Sequence, residues 1–327
     1  MIGKNESAIA GTELLIHFRV SHTSKNLLLL VGCVMGWVLP SSEITGHFFQ
    51  IITPILLVFL ACCVVAAWNY ALNDFCDSGG DCWHPEKCGR VTAGGVLIQQ
   101  WPNLVASGVV LLSGTASLVW FGGLGAQVAV VLGLFVLSGA IYNIPPVRLK
   151  RFPFVDVVVE ALNFPIRLAL GWYAVAPEGR LPPLSAMLAI WAFGGVLLTG
   201  KRAAELARIG DESTARAYRP ALLHYTLERA LVVSSLYGMV MLFGAGVLFA
   251  VYPPLHNLIF LLPFVLAMTG VYLWKLADGG LATRELEPEK LLRRPSVLLS
   301  SLALGILAIL LVAIPADLTK WLGFFGH

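Results

Sequence analysis

Charge is what this sequence has least of. Only 13% of its 327 residues are Asp, Glu, Lys or Arg, against about 25% in soluble domains, while 57% are hydrophobic. The mean hydropathy is +0.80. A soluble globular domain is excluded, and the chain reads as a polytopic membrane protein. Other absences narrow the class further. No cleavable signal is expected, because Met1 to Thr12 is short and polar and no small-residue cleavage site follows a compact apolar core. No disulfide framework is expected from the six cysteines, since Cys33, Cys62 and Cys63 lie in apolar runs where a thiol behaves as a small hydrophobe. No internal repeat of the kind that builds many transporters is visible. The net charge of +3 says little by itself, and no nucleic-acid partner is expected.

What is abundant is apolar sequence. Runs long enough to cross a bilayer lie near 26–39, 47–72, 102–121, 124–142, 154–175, 183–200, 230–251, 255–274 and 296–314. Gly122-Gly123 and Pro253-Pro254 mark tight turns between neighbouring runs. The fold class expected is therefore all-α: a single domain over 1–327, built as a bundle of nine transmembrane helices with a polar cavity at the cytoplasmic side.

The cations sort by side. Of 22 Lys and Arg, 19 fall before the first run, between the second and third, between the fourth and fifth, after the sixth, or between the eighth and ninth. Only Arg180 and Lys320 fall on the opposite side, and Arg167 lies inside a run. The positive-inside rule then places the N-terminus and the charged loops in the cytoplasm and the C-terminus outside. A bacterial cytoplasmic membrane is the expected location.

The chemistry gathers in those loops, about 73–100, 143–153 and 201–229. In "NDFCDSGGDCWHPEK", Asn73, Asp77 and Asp81 recur every four residues and form one stripe on a helix, with Asp74 one residue round. Carboxylates so placed can share a hard divalent cation, and Mg²⁺ usually bridges a few carboxylates to substrate phosphates. A solvated helix end is the bland alternative. Gly79-Gly80 weakens a continuous helix and would let the backbone bend around a ligand. His84, Lys87 and Arg90 follow and could hold the far side of an anion. Cys76, Cys82, His84 and Cys88 could instead take zinc, but their spacing lacks the paired C-x2–4-C knuckle; free thiols fit better.

In "TGKRAAEL", Lys201 and Arg202 follow an apolar helix on the same side and could neutralise phosphate oxygens; surface pairs of Glu205 with Lys201 or Arg208 are the bland account. "YNIPPVRLKRFPFVD" gathers Tyr142, Arg148, Lys150 and Arg151 before Asp156, either as topogenic charge or as a binding loop. Asp156, Glu160, Asn163 and Arg167 would share one helix face, lining a cavity or pairing Arg167 with Glu160. "FRVSHTSKN" adds Arg19, His22, Lys25 and Asn26 at the start of the first run.

These motifs resemble the UbiA superfamily of intramembrane prenyltransferases: N-D-x-x-D-x-x-x-D-x-x-H-P-x-K after the second of nine helices is its signature. The resemblance implies that an isoprenoid diphosphate binds through Mg²⁺ in a cavity open to lipid. Most members carry a second Asp-rich motif after the sixth helix; here Lys201-Arg202-x-x-Glu205-Leu206 stands instead. That replacement is similar to the decaprenyl-phosphate phosphoribosyltransferase branch, as are Arg19…Lys25-Asn26, Tyr142…Arg148-Leu149-Lys150, Val155-Asp156 with Arg167, and "EPEKLL" at 287–292. The branch implies transfer of 5-phosphoribose from 5-phosphoribosyl diphosphate to a polyprenyl phosphate, releasing diphosphate. Asn73, Asp77 and Asp81 would hold Mg²⁺; Asp77, Asp81, Lys201 and Glu205 would be catalytic. Lys25, Asn26, Asp74, His84, Lys87, Arg90, Tyr142, Arg148, Lys150, Asp156, Arg167 and Arg202 would bind substrate.

The chain departs from the branch at Cys82, where Arg is usual, at Arg90-Val91, where Arg-Pro is usual, and at Glu160 and Asn163, where small or apolar residues are expected. Prenyl transfer from an isoprenoid diphosphate to a small acceptor, or terpene cyclisation, is the alternative within the superfamily. A carrier or lipid-phosphate binding protein is the alternative outside it.

Overall fold

The structure, a computed structural model, describes residues 25–39, 48–81, 83–84, 101–176, 178–278, 294–314 and 318–319. Among these, regular structure is helical throughout. The helices are α1 (Leu28–Val38), α2 (Phe48–Asp81), α3 (Trp101–Phe121), α4 (Ala126–Asn143), α5 (Val155–Ala161), α6 (Asn163–Val175), α7 (Leu184–Ile209), α8 (Glu212–Tyr218), α9 (Leu227–Val251), α10 (Leu262–Ala277) and α11 (Pro295–Ala313), with 3₁₀ segments at Leu149–Arg151, Pro220–His224 and Pro253–Leu261. Seven described helices are long and apolar enough to cross a membrane, and a shorter apolar helix spans Lys25–Val38. The protein is an integral membrane protein. The reason is thermodynamic: backbone polar groups inside hydrocarbon must be satisfied within the protein, and an α-helix does this within its own segment.

The fifth apolar run departs from one continuous helix. It breaks at Leu162 into α5 and α6. Pro165 has no N–H to offer the carbonyl of Ala161, and Leu162 N donates to Val159 O in a tighter turn. The last turn before α10 also departs: from Pro253 the chain runs as 3₁₀ helix to Leu261 before α-geometry begins.

The chain divides into two compact units, Met1–Arg180 with Asp211–Ala221, and Leu181–Gly210 with Leu222–His327. In the first unit α1 lies directly on α6. A Cβ at Gly32 would strike Leu168 O, and one at Gly171 would strike Leu29 O, so the two backbones touch where only glycine fits. Leu29 and Leu168 are buried at this seam. In the second unit α7 packs on α9, around a core of Val196, Ala203, Ala204, Ala230, Tyr272 and Leu276. Asp211 starts α8 by accepting from Thr214 N at 2.8 Å, and its hydrogen bonds to Ser213 and Thr214 hold its carboxyl well below the usual carboxylate range.

Candidate functional site

The site in the first unit is built on the end of α2. This helix has 34 residues; at about 1.5 Å per residue it is longer than the roughly 30 Å hydrocarbon core. Its last turns therefore reach the polar boundary. It remains helical through Gly79-Gly80 to Asp81, so the glycine pair does not bend the backbone. Gly80 serves close approach instead: a Cβ there would stand 3.0 Å from Tyr218 O on α8. Continuous helix keeps Asn73, Asp77 and Asp81 on one stripe, at the end where the helix dipole favours cations.

Cations occupy that end. Lys150 Nζ lies 2.5 Å from Asp77 Oδ1, and Arg148 Nη2 lies 3.3 Å from the same oxygen. Arg148 Nη2 also donates to Cys76 O at 2.9 Å, satisfying a carbonyl near the helix terminus. Lys150 is 5% exposed and donates to Asn143 Oδ1 at 2.7 Å. Burial pushes its ammonium below the usual lysine range, and Asp77 opposes that shift. The loop that carries these cations is bent to do so. Arg148 has φ 32° and Phe154 has φ 66°, left-handed conformations that non-glycine residues adopt only at a cost. Arg148 Nε is buried and has no hydrogen-bond partner among the described residues. A buried, unpartnered guanidinium N–H beside a helix-end carboxylate is a place where an anionic oxygen would be satisfied.

Arg219, which follows α8, ties the far side together. Its Nη2 donates to Tyr142 Oη at 2.8 Å, to Asp156 Oδ2 at 3.1 Å and to the Lys150 carbonyl O at 3.3 Å. Asp156 is fully buried in the first turn of α5. Tyr142 in turn donates to Glu160 Oε2 at 2.9 Å, and Lys150 Nζ stands 5.9 Å from the Tyr142 ring centroid. His84 is buried, with its ring edge-on to Tyr218 at 5.0 Å and its backbone N–H donating to Asp81 O.

Asp77, Tyr142, Arg148, Lys150 and Asp156 are thus brought together, with Asn73, Asp74, Asp81 and His84 on or beside the same helix end. Three expected binding residues form a separate cluster. Arg167 Nε donates to Asn26 Oδ1 at 2.7 Å and its Nη1 to Asn163 O at 2.7 Å, over the Phe135 ring at 4.8 Å. Asn26 Nδ2 reaches Cys63 Sγ at 3.3 Å, and Lys25 Nζ lies 5.9 Å from the Tyr70 ring centroid. The expected face of Asp156, Glu160, Asn163 and Arg167 is divided by the break at Leu162. Arg167 donates to Asn26 and Glu160 accepts from Tyr142, so of the two accounts of this face the Arg167–Glu160 pair is not the one these hydrogen bonds follow.

In the second unit Lys201, Arg202 and Glu205 lie on α7. Arg202 Nη1 stands 3.4 Å from Glu205 Oε2, and both side chains are buried, at 4% and 2% exposure. This pair is buried and joins residues three apart on one helix. Arg19, His22, Cys82, Lys87, Cys88, Arg90 and residues 287–292 lie outside the described residues. Among the described residues no group of three His, Cys, Asp or Glu is placed to hold a metal, and Cys76 is a free thiol. The two carboxylates and one amide of Asp77, Asp81 and Asn73 are a hard oxygen set that fits Mg²⁺, which takes few protein ligands and completes its shell with phosphate and water.

Arg219 and Asn143 were not among the expected site residues, and Glu160 was expected only as lining a cavity or pairing with Arg167. The signal for Arg219 was present only as one of several cations after the sixth run; nothing in its local sequence distinguishes it.

Comparison with known proteins places the chain in a family. Residues 29–280 match the model of the UbiA prenyltransferase family. Three solved structures of a UbiA homolog from Archaeoglobus fulgidus share the fold. The one bound to DMAPP and Mg²⁺ is 18% identical, with 92% of this chain and 96% of that chain aligned at a TM-score of 0.58. A second is 15% identical, covering 92% and 97% at a TM-score of 0.61, and one bound to Cd²⁺ is 16% identical, covering 92% and 97% at 0.57. No curated protein matches the sequence.

Proposed function

Because the chain belongs to the UbiA prenyltransferase family, we propose that it is a Mg²⁺-dependent membrane transferase acting on an isoprenoid diphosphate. The observation that carries this reading is Asp77 at the end of α2, held by both Lys150 and Arg148. A carboxylate stripe beside buried cations suits a divalent ion and a diphosphate together, and the A. fulgidus homolog of the same fold binds DMAPP and Mg²⁺. Nine crossings, a cytoplasmic N-terminus and site, and an outside C-terminus complete the proposal.

Asn73, Asp77 and Asp81 would hold Mg²⁺, which when bound supplies Lewis-acid stabilisation of the leaving diphosphate. The chain's own residues do the rest. Lys150 and Arg148 exchange Asp77 for phosphate oxygens when the donor arrives, keeping their charges matched throughout. Arg148 Nε gains the partner it lacks. Arg219 fixes Tyr142 and the Lys150 carbonyl, so the two cations meet the diphosphate in one geometry.

A second reading is favoured by one feature. Lys201-Arg202-x-x-Glu205 stands where most members of the superfamily carry acidic residues, and it resembles the branch that transfers 5-phosphoribose from 5-phosphoribosyl diphosphate to a polyprenyl phosphate. In that reading Lys201 and Arg202 bind phosphate and Glu205 orients them. One experiment separates the two. Detergent-purified protein with Mg²⁺ is offered either isoprenoid diphosphates labelled in the prenyl chain or ribose-labelled 5-phosphoribosyl diphosphate with polyprenyl phosphates. Prenyl label moving into an acceptor supports the first reading; ribose label moving into extractable lipid replaces it with the second.

A further inference from the structure

The middle carboxylate of the α2 stripe is held by two of the chain's own cations, on one oxygen. Asp77 Oδ1 takes Lys150 Nζ at 2.5 Å and Arg148 Nη2 at 3.3 Å. Both cations are fixed from behind. Lys150 donates to Asn143 Oδ1 at 2.7 Å and is 5% exposed. An ammonium so buried does not drift into water; it leaves one anion only for another. Arg148 donates to the Cys76 carbonyl at 2.9 Å, on the same helix end that carries Asp77.

Asp77 and these two cations carry one net positive charge. A divalent ion about 2 Å from Asp77 Oδ1 would stand within roughly 5–6 Å of both cationic nitrogens, where like charges repel strongly in a partly buried site. A diphosphate arriving alone meets the opposite obstacle. It draws Lys150 and Arg148 to its oxygens and leaves Asp77 facing an anion. When ion and diphosphate arrive together, every charge gains its opposite. The carboxylate takes the metal and the cations take phosphate oxygens. Arg148 Nε, buried and without a hydrogen-bond partner among the described residues, then has an acceptor to meet.

We infer that Lys150 and Arg148 latch Asp77, excluding the bare divalent cation from the stripe, so that the site takes its donor as a metal–diphosphate complex. The inference rests on the Mg²⁺–diphosphate reading of this site and adds to it the order in which the site is assembled. The two ligands are then coupled. Each raises the affinity for the other by one and the same factor, about 5–150-fold on the usual scale of such couplings. Lys150 sets that factor, because its ammonium is the closer of the two to Asp77 and the more deeply buried.

The test is metal binding rather than turnover. The full chain in detergent is titrated calorimetrically with Mn²⁺ in place of Mg²⁺, alone and with methylenediphosphonate, a diphosphate that cannot be hydrolysed. Chelation in solution is titrated separately and subtracted. Lys150→Met should bind Mn²⁺ alone at least about tenfold more tightly than the unmodified chain and should lose most of the coupling to methylenediphosphonate. Arg151→Met removes the same charge from an exposed position in the same loop, and should leave both quantities within about twofold. Should Lys150→Met not fold, the unmodified chain decides: its coupling must reach at least about fivefold. Mn²⁺ alone binding the unmodified chain as tightly as Lys150→Met, equal gains in the Lys150 and Arg151 variants, or no coupling in the unmodified chain overturns this inference alone. Binding of the Mn²⁺–methylenediphosphonate complex that is undiminished in Asp77→Asn overturns the Mg²⁺–diphosphate reading, and this inference with it.

Discussion

Lys150 Nζ and Asp77 Oδ1 meet at 2.5 Å, joining a strained loop to the last turns of α2. Their neighbour Arg151 is exposed and differs from Lys150 by one position in the same loop. This contrast yields the first prediction. Lys150→Met should lower turnover by about 10²–10³-fold, the scale on which loss of one preorganised charge-stabilising group acts. Arg151→Ala should leave turnover within about twofold, because exposed loop charge contributes little. Steady-state kinetics of the two variants under one Mg²⁺ concentration checks both.

Arg148 carries a backbone cost as well as a charge. At φ 32° a Cβ is disfavoured by roughly 1–2 kcal/mol. Arg148→Gly and Arg148→Ala should lose activity alike, since both lack the guanidinium. The glycine variant should nevertheless unfold at a higher temperature than the alanine variant. Thermal unfolding in detergent, with activity measured on the same samples, tests this separation of strain from chemistry.

The Arg219–Asp156 pair is structural in its energetics. Removing Arg219 takes an ion-pair partner from a carboxylate with no exposure, and breaking a buried pair by deleting one partner costs about 3–5 kcal/mol. Arg219→Met should therefore be strongly destabilised, whereas Arg219→Met with Asp156→Asn should recover most of the loss. A double-mutant cycle of unfolding free energies measures the coupling. Additive losses would mean that the two residues do not act as a pair.

The α1–α6 seam should be intolerant of a single methyl group. Leu168 O stands where a Cβ at Gly32 would go, and a backbone carbonyl inside a packed helix cannot rotate aside. Gly32→Ala should cost about 1–3 kcal/mol, the usual range for overpacking. Gly114→Ala on α3, where nothing lies within 4 Å, should be neutral or slightly stabilising by comparison. Unfolding of both variants in the same detergent provides the check.

Much of the fold was legible because hydropathy runs are local signals. The run at 154–175 shows the limit: its apolar face pattern was clear, yet Pro165 withdrew one backbone donor and broke it at Leu162. The site divides in the same way. The Asn73, Asp77, Asp81 stripe follows from spacing along one helix. Arg219 with Tyr142, 77 residues apart, and Arg148 with Asp77, 71 residues apart, are set by packing that no window of sequence contains. Glu160 was visible as an acid in an apolar run, but its hydrogen bond from Tyr142 on another helix was not.

The central claim is that the end of α2 is a Mg²⁺-diphosphate site centred on Asp77. The most direct measurement is diphosphate release from a labelled isoprenoid diphosphate by the purified protein, with Mg²⁺ and with chelator, for the unmodified chain and for Asp77→Ala. The account predicts release that requires Mg²⁺ and falls by at least about 10²-fold in Asp77→Ala, while the variant keeps its helical content. Release that persists in chelator, or that is undiminished in a folded Asp77→Ala protein, would contradict it.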